Sequence, residues 1–320
     1  MAQGQNFKLQ SLGVKSETTQ GGGATLTASD YLWVSDINIK PVIEKLERDY
    51  ARNTGDSLPH AIGKAHYEIS FKTELKGSGV TGSKYNPLDA LLQASGMTVS
   101  ASANDITYTP TSQPSSSAFS GFGKSAYIEF VRDKYKRTIS GLVGTYKIAV
   151  EAGKIPMLEF SGKGLFSAAT DAAATPGFTG SNQTIPATAV ATTVTIDGTS
   201  PSLSKLEFDI ANNVQERPDM TAQNGIAGFM ITGRKAKGSI DPECTTVAGY
   251  DFLNKAYNGT QFAMSATIGS TAGNRVVISA PCVQMDDVTD QARNEVAVFQ
   301  IPVSFNGTGS FDNCLSIKFN

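Results

Sequence analysis

The chain is short of charge: of 320 residues only 18% are Asp, Glu, Lys or Arg, with 27 basic against 29 acidic. That near-balance leaves no basic footprint for gripping nucleic acid and no polybasic patch for a membrane. Histidine is scarcer still, with His60 and His66 alone. Neither has a Cys, Asp or Glu partner at a spacing that suggests a metal site or a catalytic triad. The three cysteines, Cys244, Cys282 and Cys314, lie far apart and are odd in number. A disulfide framework uses an even set and a metal site uses close pairs, so reduced, mostly buried thiols are expected. No run approaches the roughly 20 apolar residues that span a bilayer. The opening "MAQGQNFKLQSLG" has neither the basic start nor the apolar middle of a signal peptide. No cofactor motif survives scrutiny. "AFSGFGKS" (Ala118 to Ser125) ends like a phosphate-cradling loop, but Ala118 stands where the first glycine is needed and no βαβ context surrounds it. The acidic "QMDDVTDQARNE" (Gln284 to Glu295) lacks the spacing of a calcium loop and reads as a solvated hairpin.

What the chain does have is a repeat. Lys154 to Gly164 reads "KIPMLEFSGKG", and Gln300 to Gly309 reads "QIPVSFNGTG". Four further matches keep the same order. Val34 to Ile39 parallels Leu203 to Phe208, and Glu47-Arg48 parallels Glu216-Arg217. Lys64-Ala65 and Ile69 parallel Lys235-Ala236 and Ile240, and Asp89-Ala90-Leu91 parallels Asp251-Phe252-Leu253. The offsets fall along the chain because the first copy carries extra residues, including the Ser-rich "TSQPSSSAFSGFG" from Thr111 to Gly123. The divisions expected are an N-terminal arm (1–30), a first β-domain (31–178) with an inserted loop at about 111–123, a linker with a leading strand (179–200), and a second β-domain (201–320).

Both copies share a plan. "HYEISFKTEL" places Tyr67, Ile69, Phe71 and Thr73 on one face, the period-two pattern of a half-buried strand. "TYKIAV" does likewise with Tyr146, Ile148 and Val150, as does the late run Ala297, Phe299, Ile301, Val303 and Phe305. Pro156 and Pro302 cannot donate to a ladder, so their strands are expected at an edge or bulged there. One helix falls in each copy. "NPLDALLQASG" takes Asn86 as N-cap and Gly96 as stop, with Leu88, Leu91 and Leu92 on one face. "VAGYDFLNKAYNG" sets Tyr250, Leu253 and Tyr257 in the same way. His66 lies on the polar face of its strand and is expected in solvent. The stretch Met1 to Thr27, with its "QGGGA" break, is expected to be loose in the free subunit.

The wording of several stretches resembles the tail tube proteins of long-tailed bacteriophages. "GFMITGRKAKGSIDPE" (Gly228 to Glu243), "STAGNRVVISAP" (Ser270 to Pro281) and "GSFDNCLSIKF" (Gly309 to Phe319) are similar to the C-terminal half of that family. "VKSETTQGGGATLTASDYLWVSDINI" (Val14 to Ile39) looks like its N-terminal half, with Gln20-Gly21 in place of the usual Tyr-Gly. The resemblance implies tandem β-sandwich or barrel domains, each with one short flanking helix, closing into six-fold rings around a channel. With two domains per chain, three chains complete a ring. It further implies a non-enzymatic virion component, assembled in the bacterial host cytoplasm without a cofactor. Its implied partners are other copies of itself, a tape-measure protein, tail terminator and distal tail proteins, and phage DNA in passage. A competing reading, an exported adhesin or pilus-like β-sandwich module, requires an export signal.

Two matched stretches, Pro41 to Ile62 and Ala211 to Ala227, are expected as long loops. In the resembling family a long loop after the first strand reaches along the tube axis. The charged residues Glu44, Glu47, Arg48 and Asp49, with Glu216, Arg217 and Asp219, are therefore expected at the interface between rings.

Overall fold

The computed structural model describes residues 8–112, 124–171, 184–309 and 312–320. Strand β1 (Gln10–Ser16) opens them, followed by β2 (Tyr31–Leu32), β3 (Val34–Leu46) and β4 (Ala61–Glu74). Of the stretch expected to be loose, residues 1–7 lie outside the described residues, and the rest is ordered on the fold from β1 onward. β1 runs antiparallel to β2 and to the strand of residues 126–132, with Leu12 and Val14 fully buried. The glycine-rich segment behind it is organised by the Glu17 carboxylate, which accepts from the backbone N–H of Gly21 (3.1 Å), Gly23 (3.0 Å) and Gly141 (2.9 Å) and from the Ser125 hydroxyl. Charge-assisted bonds of this kind satisfy a buried carboxylate.

Helix α1 (Asn86–Ala94) begins one residue earlier than expected: Tyr85 occupies the N-cap and Asn86 the first helical position, beside Pro87. Leu88, Leu91 and Leu92 are buried, and Gly96 takes a left-handed φ of 76° just past the end. Strands β5 (Met97–Ala101), β6 (Ile106–Pro110) and β7 (Ala126–Arg132) follow. The Ser-rich expectation at Thr111 to Gly123 falls almost wholly outside the described residues.

The 17-residue β8 (Tyr135–Glu151) pairs first with β7 and later with β9 (Met157–Leu165), its register shifting between Ser140 and Val143. Gly141, at a φ of 61°, provides the bulge that lets one strand serve two sheets. The short β10 (Thr170–Asp171) and β11 (Thr193–Ile196) follow β9; of the expected linker with its leading strand (179–200), residues 179–183 lie outside the described residues and β11 falls within the rest. Then come β12 (Leu203–Asp209), β13 (Asn212–Pro218), β14 (Ile226–Arg234) and β15 (Lys237–Pro242). Helix α2 (Phe252–Tyr257) is capped by Asp251, whose side chain accepts from the Asn254 N–H. Its expected apolar face is not a core face: Phe252 alone is buried, while Leu253 and Tyr257 are 58% and 89% exposed.

The chain ends with β16 (Phe262–Ile268), β17 (Val276–Met285), β18 (Thr289–Arg293), β19 (Val296–Asn306) and β20 (Ser316–Phe319). The acidic stretch forms the expected hairpin, β18 to β19, turning at Asn294 and Glu295 with both φ positive. Pro302 lies on an interior strand between β15 and β17, not at an edge. It is tolerated because it sits where β17 has ended and β18 has not yet begun, and only its carbonyl is used, by the Asp286 N–H. Cys282 is buried as expected, but Cys244 is exposed.

These strands build a mainly β protein with two short helices. One antiparallel ladder runs without a break through β3, β4, β9, β8, β12, β15, β19 and β17. Its core face carries two aromatic pairs with ring centroids 5.5 Å apart, Phe71–Phe160 and Phe208–Phe305. The C-terminal β20 crosses from β17 to β6, so Ile317 lies opposite Tyr108. Removing residues 2–20 is expected to abolish soluble folded subunit, since β1 and Glu17 go with them. Leu12→Ala alone should cost about 2–5 kcal/mol in denaturant unfolding. A far-ultraviolet spectrum and melting curve unchanged by the truncation would show β1 to be dispensable.

Candidate functional site

Among the described residues, the distinctive chemistry is in strand edges and what covers them. β12 lies on the edge of β8, with Lys205 opposite Glu151 and Asp209 opposite Lys147. Glu207 sits between Lys205 (2.6 Å) and Lys147 (2.9 Å). Burial works against its ionisation, yet the two lysines win and hold its carboxyl below the ordinary range. Beneath, Leu206 and Phe208 are fully covered. β3 presents a different picture. It is bonded to β4, and among the described residues no strand lies on its other side. Its Ile37 and Ile39 are only half-buried, and Pro41, Lys40 and Lys45 interrupt that edge.

The second feature is the hairpin of β13 and β14, which leaves the main ladder and folds back. The chain turns at Ala211, a non-glycine residue with a φ of 46°. The amide Nδ2 of Asn212 donates to the carbonyls of Ser95 (2.7 Å) and Gly144 (3.1 Å). Arg234 Nη2 donates to those of Gly96 (3.0 Å) and Thr111 (3.2 Å). Those bonds fix the hairpin's neck beyond the C-terminal end of α1. Ile226, Phe229 and Ile231 then pack on Val143 and Leu165, a small core separate from the main one. Gln20 Nε2 donates to the Phe229 carbonyl at 2.6 Å, and Asn224 Nδ2 to that of Phe166 at 2.9 Å. The hairpin thus crosses the polar face of β4, β9 and β8. His66, expected in solvent, lies under it with its ring 5.6 Å from that of Phe229.

Of the expected long loops, Pro41 to Ile62 keeps a long connection over residues 47–60, flanked by the ends of β3 and β4, while Ala211 to Ala227 is mainly β13 and the turn over residues 219–225. Glu44 lies on β3, and its carboxylate accepts from the Lys64 N–H at 3.2 Å. Glu216 lies on β13 and pairs with the Lys64 ammonium at 2.7 Å, so the two glutamates meet at one lysine. That contact holds the Glu216 carboxyl below its usual range and raises Lys64. Arg217 is exposed on β13. Asp219 shapes the turn, accepting from the Thr221 N–H and hydroxyl at 2.8 Å each. Glu47, Arg48 and Asp49 are exposed in the connection between β3 and β4. Glu17, Gln20, Asn212 and Arg234 escaped the sequence reading. The signal available was the run of three glycines after Glu17 and Gln20, a segment that needs outside support.

The uncovered polar face carries interleaved charge. Lys72 bridges Asp36 (3.1 Å) and Glu159 (3.2 Å), and Lys163 approaches Glu68 at 3.8 Å. Among the described residues, no group of three or more His, Cys, Asp or Glu is placed to hold a metal ion. Such an arrangement can pair strands and dock hairpins. A family model for phage tail tube proteins matches residues 8–309. The chain belongs to the phage tail tube protein family. No curated protein matches it. This tail tube protein is accordingly a structural, non-enzymatic component of the virion tail, and membership of a tube-forming family implies that it polymerises with itself. The family sets aside the exported adhesin.

The covered histidine makes hairpin docking in this tail tube protein sensitive to pH. Burial, and then Lys163, lower the His66 pKa, while Glu68 and Glu216 oppose them. A depressed histidine is neutral in the folded state while the unfolded chain still takes up a proton. Its contribution is therefore complete above pH 6.5 and is lost as pH falls through that value. Protection factors for amide exchange in residues 212–234, taken against the intrinsic rate at each pH, should fall between pH 8 and pH 5, and His66→Gln should flatten that trend. Equal slopes for parent and variant would remove His66 from the account.

Proposed function

We propose that three of these chains close a pseudo-six-fold ring, and that the rings stack into the tail tube. The channel holds the tape-measure protein during assembly in the bacterial cytoplasm and conducts the genome at infection. Terminator and distal proteins cap the two ends. In this reading each chain supplies two tandem domains. Support comes from the two halves of the ladder, β3-β4-β9-β8 and β12-β15-β19-β17, which share one strand order and one direction. The sequence repeat aligns β3 with β12, β4 with β15 and β9 with β19, and brings Phe160 onto Phe305.

The observation that carries the proposal is the junction of β12 on β8. β12 corresponds to β3 and β8 to β17. The contact made once inside the chain can therefore be made again between chains, β3 of one on the end of β17 of the next. A heterologous contact repeated by a fixed rotation closes into a ring. The corresponding register puts Lys40 opposite Gln284 of the next subunit, as Asp209 lies opposite Lys147. Stacking falls to groups that face away from this sheet. Arg217 follows Glu216 on a strand, so it points away from Lys64, and with Arg48 it is assigned to ion pairs between rings.

A Lys40→Cys, Gln284→Cys variant with Cys244→Ser should form chain-to-chain disulfides only when assembled, giving products of up to three chains. Absence of cross-links in assembled material, or native mass spectrometry showing six chains per ring, would overturn the reading. Separately, Arg48→Glu with Arg217→Glu should leave subunit melting nearly unchanged and shorten the tubes seen by electron microscopy. Tubes of parental length across a range of salt would place the stacking contact elsewhere.

A further inference from the structure

We propose that Glu47 pairs with Lys235 of the next subunit, holding the β3–β4 hairpin across that subunit's open sheet face within the same ring. This rests on the ring reading above and adds a second lateral contact to it. The warrant is the contact already made inside the chain. Hairpin β13–β14 crosses the polar face of the first half, and Glu216 on its outgoing strand meets Lys64 at 2.7 Å. Both members of that pair recur in the repeat. Glu216-Arg217 corresponds to Glu47-Arg48, and Lys64-Ala65 to Lys235-Ala236. The counterpart of the internal Glu216–Lys64 pair is therefore Glu47 with Lys235. Both residues are exposed.

The two surfaces fit that assignment. On the first half, the face beside Lys64 and His66 is covered by β13–β14. On the second half the corresponding face is an open groove, lined among others by Lys235, Lys237, Asp286, Ser304 and Asn306. The hairpin with an uncovered outer half is that of β3 and β4. It leaves Ile43, Leu46, Tyr50 and Ile62 at 42%, 47%, 64% and 61% exposure. Apolar groups clustered on one exposed hairpin are a contact surface waiting for a partner. In the internal copy the equivalent burial is made by Ile226, Phe229 and Ile231. The occupant of the groove is thus a second copy of this chain, and the register is set by strand pairing at β3, a few residues before the hairpin's outer half.

A charge swap reads the contact directly in the full-length chain. Glu47→Lys and Lys235→Glu, each alone, should raise the concentration needed for polymerisation about five-fold, as expected for reversing one exposed pair repeated around a ring. The double swap should return it to within about two-fold of the parent. Sedimentation across a concentration series measures this, with melting curves confirming that each variant folds. Single variants that polymerise like the parent would overturn the pairing. So would impaired singles that the swap fails to rescue. The Lys40–Gln284 cross-link reports on the ring itself: if it forms while the swap fails, the ring stands and the hairpin docks elsewhere.

Discussion

An unpaired strand edge is the constraint on which this molecule turns. Every edge residue carries an N–H and a C=O whose loss of partners is costly once water is excluded. β8 would be such an edge along its second half, where β7 has diverged after the Gly141 bulge. β12 fills it, and the chain's two halves become one ladder as a result. The core follows from that union, because Leu206 and Phe208 are sealed only when β12 lies on β8. β3, with the same pattern of apolar residues, has β4 on one side and its Ile37 and Ile39 remain half-covered. β3 and β12 thus differ chiefly in whether a neighbour is present.

Charge is sparse in this chain and is used where strands meet. Glu207 is gripped by two lysines at the internal junction, and Lys72 by two carboxylates on the first half's polar face. Exposed pairs of this kind are each worth about 0–1 kcal/mol. Their role is to set register, since a slip of one residue would turn Lys205, Glu207 and Asp209 onto the core face. The sheet's polar face consequently offers alternating charge of both signs, a poor grip for a polyanion or for an extended polypeptide of one sign.

Much of this fold could be read before any coordinates. The alternation in β4 and β8 and the leucine face of α1 depend on neighbours within a few residues, so their pattern is written locally. The family resemblance was legible for the same reason. What escaped depends on distant partners. β1 reads as polar and glycine-broken because the group that organises it, Glu17, draws donors from Gly141 and Ser125, more than 100 residues away. The fold-back of β13–β14 depends on Asn212 and Arg234 reaching carbonyls at Ser95, Gly96 and Thr111. Leu253 and Tyr257 obey helical spacing yet stay exposed, because period alone cannot say whether anything lies opposite a face.

The junction of β12 on β8 has a kinetic meaning as well as a structural one. Its two strands are tethered by fewer than 60 residues of chain, so each meets the other at an effective concentration in the millimolar range. That contact forms during folding and is indifferent to how much protein is present. In the proposed ring, the corresponding contact between separate molecules would enjoy no tether and would wait for encounter, so its yield would rise with subunit supply. One written motif can therefore act as part of a fold at one location and as a threshold for nucleation at another. The length of polypeptide between the two copies decides which events are unimolecular, and hence how sharply growth answers to the pool of free subunits.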